Sequence, residues 1–236
     1  YNGSVFEMEF DFVSHQLVIH TSDGRTKNIS LIACCVADFY TEVMAALDSL
    51  GIHVKIWPMP VEVPDPIRLD TNRVYASYDP ESVNRLWRIL VSVDTVLKEF
   101  RSGFIGKCSP VHFFWGSFDL CVTRFSGRRA PERVGADLMT QEAYSHEVIS
   151  AGFWPGSGNI AGPAFYAYAV PEPKGFSEIA VRPEAAHYDR QLGEFVLMYD
   201  DVRTSVNPQR TLLDFLQSTY EGAAALGHWD RAALER

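Results

Sequence analysis

The sequence predicts an α+β fold in which largely antiparallel sheet is covered by three main helices. Short runs of period-two apolar alternation recur between turn residues, as half-buried strands require, and three longer stretches repeat apolar residues every three or four positions. These two kinds of segment do not alternate strictly along the chain. A parallel doubly wound sheet needs a crossover helix between successive strands, so it is not expected. With 236 residues, 47% of them hydrophobic, the chain can bury a substantial core, and we expect a single domain over residues 1–236. It starts on Tyr1 just ahead of a strand, from which we expect the numbering to begin partway into a longer protein that carries a further N-terminal segment.

The first strand is Val5 to Val13, with Phe6, Met8, Phe10 and Phe12 on one face and Glu7, Glu9 and Asp11 on the other. Those carboxylates read as a solvated face that discourages edge-to-edge pairing rather than as a cation site. Gln16 to Thr21 forms a second strand, and Asp23-Gly24 is a hairpin signal leading to a third near Thr26 to Leu31. Val36, Phe39, Tyr40, Val43, Met44, Leu47 and Leu50 mark an amphipathic helix closed by Gly51. Ile52, Val54 and Ile56 alternate as a strand, after which WPMPVEVPDP must be an extended surface loop. Asp79-Pro80-Glu81 starts a helix running to about Arg101, whose stripe of Val83, Leu86, Trp87, Leu90, Val93, Leu97 and Phe100 is expected in the core.

Ser109 to Arg129, SPVHFFWGSFDLCVTRFSGRR, is the most chemically loaded run. Val111, Phe113 and Trp115 are apolar at odd positions, but Phe118, Leu120 and Val122 at even ones, so a bulge or tight turn must sit at Gly116-Ser117. With a bulge, His112 and Asp119 project from one face, where an imidazole and a carboxylate make an oriented general base or two metal ligands. The alternative is a hydrogen-bonded histidine beside the core and a turn-starting aspartate. Arg128 and Arg129 in the following turn suit a forked grip on a carboxylate or phosphate, or else an ordinary solvated turn.

In YSHEVISAGFWPGSG, His146 and Glu147 are adjacent, so on a strand they face opposite ways and only one can join His112. Trp154 precedes a Pro-Gly-Ser-Gly segment that reads as the rim of a pocket or as a long hairpin loop. Tyr166 and Tyr168 on a short strand place hydroxyls beside apolar surface, as a ligand pocket does. Glu194 to Tyr199 is the last strand, and Asn207-Pro208 opens a final long helix with Leu212, Leu216, Tyr220 and Ala223 inward and Gly227 at its end.

The net charge of -9 argues against nucleic acid or an anionic membrane as partner, and no apolar run approaches the ~20 residues of a membrane span. Cys34, Cys35, Cys108 and Cys121 lack zinc or redox spacing, and an adjacent pair rarely closes a disulfide, so we expect reduced thiols and a cytoplasmic location. Neither a phosphate-binding GxxxxGK[ST], nor a GxGxxG after a strand, nor a GxSxG elbow is present.

The strings SPVHFFWGSFDLCVTRFSGR, FDFVSHQLVIHTSDGRT, VADFYTEVMAALDSLGI, IWPMPVEVPDP, YSHEVISAGFWPG and AFYAYAVPEP together resemble a bacterial family of uncharacterised proteins known only as a domain of unknown function. The resemblance covers nearly the whole chain and brings no activity or cofactor with it. It implies a further N-terminal segment, rich in tryptophan, before Tyr1. The residues themselves lead us to expect a protein handling a small, anionic molecule in an aromatic-lined pocket. His112, Asp119 and Glu147 would carry acid-base chemistry, and Arg128, Arg129, Trp115, Trp154, Tyr166 and Tyr168 would bind the ligand. In the sharpest version His112 and His146 ligate a divalent transition metal. The competing expectation is a noncatalytic ligand- or protein-binding module, and an oligomer is compatible with either.

Overall fold

A computed structural model of the chain describes residues 3–61, 63, 65–156, 160 and 162–236. It is an α+β structure with two antiparallel sheets, divided into two compact units, Tyr1–Ile89 and Leu90–Arg236.

Unit one begins with a three-stranded meander of β1 (Phe6–Asp11), β2 (Gln16–Thr21) and β3 (Thr26–Ser30), in that order across the sheet. Asp11 closes the first hairpin, its carboxylate accepting from the amides of Val13 and Ser14 at 2.8 and 3.0 Å. At the second, Gly24 takes φ +87, a left-handed conformation open to glycine at no steric cost. Helix α1 (Val36–Ser49) covers the sheet. Leu17, Ile29 and Leu31 pack with Phe10, Phe12 and Phe39, and Ile19 packs with Leu47, Leu50 and Ile52.

The expected strand at Ile52 to Ile56 is absent, although Ile52 is in the core. Its amide bonds the carbonyl of Leu47 at 3.0 Å, so the backbone there finishes α1 instead of joining a sheet. Alternation reports burial of every second side chain; it does not report where the amides go. Helix α2 (Pro80–Ser102) is started by Asp79, which accepts from the Glu81 amide at 3.1 Å. Trp87, expected in the core, is 37% exposed on this helix, whose buried residues all come later, at Val93, Val96, Leu97 and Phe100.

Unit two is built on a six-stranded antiparallel sheet: β4 (His112–Phe114), β5 (Asp119–Arg129), β6 (His146–Trp154), β7 (Ala164–Val170), β8 (His187–Asp189) and β9 (Glu194–Met198). The order across it is β4-β5-β6-β7-β9-β8. The remaining helices are α3 (Leu138–Ala143), α4 (Tyr199–Arg203), α5 (Pro208–Leu226) and α6 (Arg231–Leu234). Helix α5 starts at Asn207, whose side chain accepts from the Arg210 amide at 3.1 Å, and ends at Gly227 as expected.

One face of this sheet is apolar, carrying Leu120, Val122, Ile149, Ala151, Phe153, Phe165 and Leu197, all buried. Arg124 shares that face and is 2% exposed. Its guanidinium lies 3.5 Å from the ring centroid of Phe100 on α2 and 4.2 Å from that of Tyr220 on α5, so stacked rings stand in for a carboxylate partner. The opposite face is polar.

Candidate functional site

Residues directly opposite one another in an antiparallel pair share a face, so the register assigns the polar side. Cys121, Gly152, Tyr166, Val196 and His187 form one row across β5, β6, β7, β9 and β8, with His112 of β4 at its end. Thr123, Ser150 and Tyr168 form the next row on the same side. Asp119, two residues before Cys121, and Glu194, two before Val196, complete the face.

Small side chains make this face work. A Cβ on Gly152 would sit 2.6 Å from the Tyr166 hydroxyl oxygen and 2.5 Å from the Leu120 carbonyl oxygen, so only glycine lets the Tyr166 ring lie across β6. From there its hydroxyl donates to Asp119, which also accepts from Ser117 Oγ at 2.5 Å. Tyr168 stacks beside Tyr166, centroids 6.1 Å apart and planes 15° from parallel, with its hydroxyl 3.3 Å from that of Tyr144. Beneath the rings, Thr123 and Ser150 hydroxyls bond at 2.9 Å. The result is a floor of two half-buried tyrosines with a buried carboxylate at one end.

Burial governs the electrostatics. It pushes the Cys121 thiol up to about 11, leaving it protonated and unreactive, and it raises both tyrosines. Glu194 is pushed up to about 7, first by desolvation and then by the charges of Asp119 and Asp189. Among the described residues neither Asp119 nor Glu194 forms a salt bridge.

The break at Gly116-Ser117 is a hairpin, not a bulge. Residues 115–118 form its loop, with Phe118 at φ +61, and β4 pairs His112 with Cys121 and Phe114 with Asp119. This register restores the phase, so His112 and Asp119 share a face all the same. His112 packs on Phe114 at 4.4 Å between centroids, while Asp119 bonds Tyr166 and Ser117. Trp154 lies on the polar side at the end of β6, one step beyond the Leu120 to Phe153 pair. Ser157 and Gly158, half of the expected rim, lie outside the described residues.

Other expected site residues lie elsewhere. His146 pairs with Arg129 six positions along β6 from Gly152, hence roughly 20 Å from the row of His112. The register therefore does not bring the expected metal pair together: His112 is on β4, His146 is at the far end of β6, and β5 lies between the two strands. Glu147 faces the other side, where its carboxylate accepts from Ser126 Oγ at 2.8 Å and from Arg128 at 2.9 and 2.7 Å. Arg128 in turn donates to the carbonyls of Gly227 and His228 at 2.5 and 3.1 Å. Its fork is thus engaged by the C-terminal end of α5 and by Glu147 rather than free for an anion. Arg129 is exposed. Trp115, 63% exposed in the hairpin loop, packs on Phe113, which faces away from Asp119.

Sequence reasoning missed Gly152 and Glu194. The phase of β6 was legible, but Glu194 joins the face only because β9 pairs with β7, a neighbour across an intervening strand and loop.

The chain belongs to a family described as a family of unknown function, DUF5996, whose match spans residues 1–236. No curated protein and no solved structure matches it.

Proposed function

We propose that the tyrosine floor of unit two receives a small molecule that donates hydrogen bonds, a polyol or an amine, and that Asp119 and Glu194 hold it and exchange a proton with it. The observation that carries this reading is the placement of two carboxyl groups, neither salt-bridged among the described residues, on one sheet face beside stacked tyrosine rings. Tyr166 gives its only proton to Asp119, so its oxygen is left as an acceptor. A face made of acceptors and aromatic rings favours a donor-rich or cationic ligand over the anion that Arg128 and Arg129 suggested. Glu194, near neutrality in its proton affinity, suits a general acid or base.

The test is thermal denaturation against separate panels of polyols, amines and carboxylates. A ligand at a hundred times its Kd stabilises the fold by about 2.7 kcal/mol, a readily measured rise in Tm. Stabilisation by a polyol or an amine, lost in Asp119→Asn, is expected; stabilisation by carboxylates alone would sink the reading.

A second reading rests on a different observation. Phe114, Trp115 and Phe118 are 46%, 63% and 41% exposed around the β4–β5 hairpin, which supports a noncatalytic protein-binding surface. Trp115→Ala would then weaken partner binding and leave the ligand shifts intact.

No helix among the described residues is long and apolar enough to cross a membrane. Four free cysteines support a cytoplasmic location, and the net charge of -9 supports partners other than nucleic acid or membrane.

A further inference from the structure

The thiol pair Cys34-Cys35 in unit one lies outside the site just described. Both side chains are half-buried, in contrast to Cys121, which is 2% exposed. The Cys35 sulfur accepts a hydrogen bond at 3.4 Å from Arg73 Nη1, which also bonds the Asp38 carboxylate at 3.0 Å. Cys35 thus has a cation in hydrogen-bond contact with its sulfur, and the same guanidinium holds the Asp38 carboxylate beside it. Burial and the charge of Cys35 raise the neighbouring Cys34 thiol, so the two are not equivalent.

Adjacent α-carbons stand about 3.8 Å apart, short of the 4.4 Å at which unstrained disulfides begin. A disulfide between them is therefore strained and easily reduced, as reversible redox disulfides are.

We propose that Cys34-Cys35 is a reversible oxidation site for hydroperoxides, with Cys35 as the attacking thiol and Cys34 as the resolving one. The Cys35 thiolate attacks one peroxide oxygen; an S–O bond forms, the O–O bond breaks, and the departing alkoxide or hydroxide takes a proton from water. The sulfur is oxidised by two electrons to a sulfenic acid and the peroxide is reduced to an alcohol or water. The Cys34 thiol then attacks the Cys35 sulfur, an S–S bond forms, and the S–O bond breaks. Hydroxide leaves and takes the Cys34 proton as water.

Closing that ring bears on the packing at the start of α1. The amides of Val36 and Ala37 bond the carbonyls of Tyr75 and Asn72 at 3.1 and 2.9 Å, and Arg73 belongs to the same loop. A change of backbone at Cys35 therefore pulls on residues 72–75.

The experiment treats the whole protein with hydrogen peroxide and dimedone and reads each cysteine by peptide mass spectrometry. In Cys34→Ser the dimedone adduct on Cys35 is expected to form about tenfold faster than on Cys108 or Cys121, and Arg73→Ala slows it. In the wild-type chain that adduct gives way to a Cys34-Cys35 peptide lighter by two hydrogens, reversed by dithiothreitol. Labelling of Cys35 no faster than of Cys108 in the folded Cys34→Ser variant overturns the proposal. So does a wild-type protein that keeps the adduct and forms no such disulfide.

Discussion

The Tyr166 hydroxyl donates to Asp119 across a gap in β6 that exists only because residue 152 is glycine. A methyl group there meets the tyrosine oxygen at 2.6 Å and a backbone carbonyl oxygen at 2.5 Å, and the carbonyl is held in the β5–β6 ladder. Gly152→Ala is therefore expected to destabilise by about 2 kcal/mol, as overpacking of a filled site does. Tyr166→Phe removes one of the two clashes, so the double variant should cost less than the sum of the singles by at least ~0.5 kcal/mol. Urea denaturation of the four proteins measures this. Strict additivity would mean that Gly152 does not position Tyr166.

Glu194 has a raised proton affinity in the folded chain, about 7 against an ordinary 4.5. Between those values the folded state binds more protons than the unfolded one, so stability falls as pH rises from about 4.5 to about 7. Glu194→Gln removes the charge that burial disfavours. It should exceed the wild type in stability at pH 8 by about 1 to 2 kcal/mol, a figure discounted for partial exposure, and lose the advantage at pH 4. Denaturant midpoints at the two pH values check the sign; a pH-independent difference would show that the acid titrates normally.

How far the sequence led can be seen in two phase changes. The parity break at Gly116-Ser117 marked the place where the strand is interrupted but left bulge and tight turn open, because alternation does not report which strand the chain pairs with next. The alternation of Ile52 to Ile56 misled, because the Ile52 amide completes α1 and that of Val54 turns back to the Ile52 carbonyl, uses that side-chain pattern does not encode. Likewise the opposed orientation of His146 and Glu147 was legible, whereas the pairing of Glu147 with Arg128 at the end of α5 was not. The bond from Arg128 to the His228 carbonyl joins residues a hundred positions apart, and only the packing of the sheet against the helix creates it.

Because Glu147 and Arg128 serve that junction, their loss should appear as stability and not as ligand recognition. Glu147→Gln leaves Arg128 on the Gly227 and His228 carbonyls without its counter-charge. The side chains are 18% and 47% exposed, so the expected cost is about 1 kcal/mol. Any ligand that raises the Tm of the wild type should raise that of Glu147→Gln equally. A shift lost in Glu147→Gln and kept in Asp119→Asn would move the site to the opposite face of the sheet.

Arg124 offers the sharpest contrast between charge and shape. Its guanidinium is stacked against Phe100 and Tyr220, Nη2 donates to the Phe100 carbonyl, and its Nε finds no hydrogen-bond partner among the described residues. Burial lowers its proton affinity to about 10, so the fold bears a desolvation cost that the rings and the nearby Glu235 only partly offset. Arg124→Met keeps most of the volume and removes the buried charge, and it should be neutral or stabilising, by up to ~2 kcal/mol. Arg124→Lys keeps the charge but loses the planar stacking and the fork; it should cost about 2 kcal/mol. Arg124→Ala leaves a cavity among the rings of Phe100, Phe104 and Tyr220 and should cost about 3 kcal/mol. Guanidinium denaturation ranks the three. The order Met, Lys, Ala is the expected one, whereas Lys above Met would mean that the positive charge itself, and not the filled space between the rings, holds α2 and α5 to the sheet.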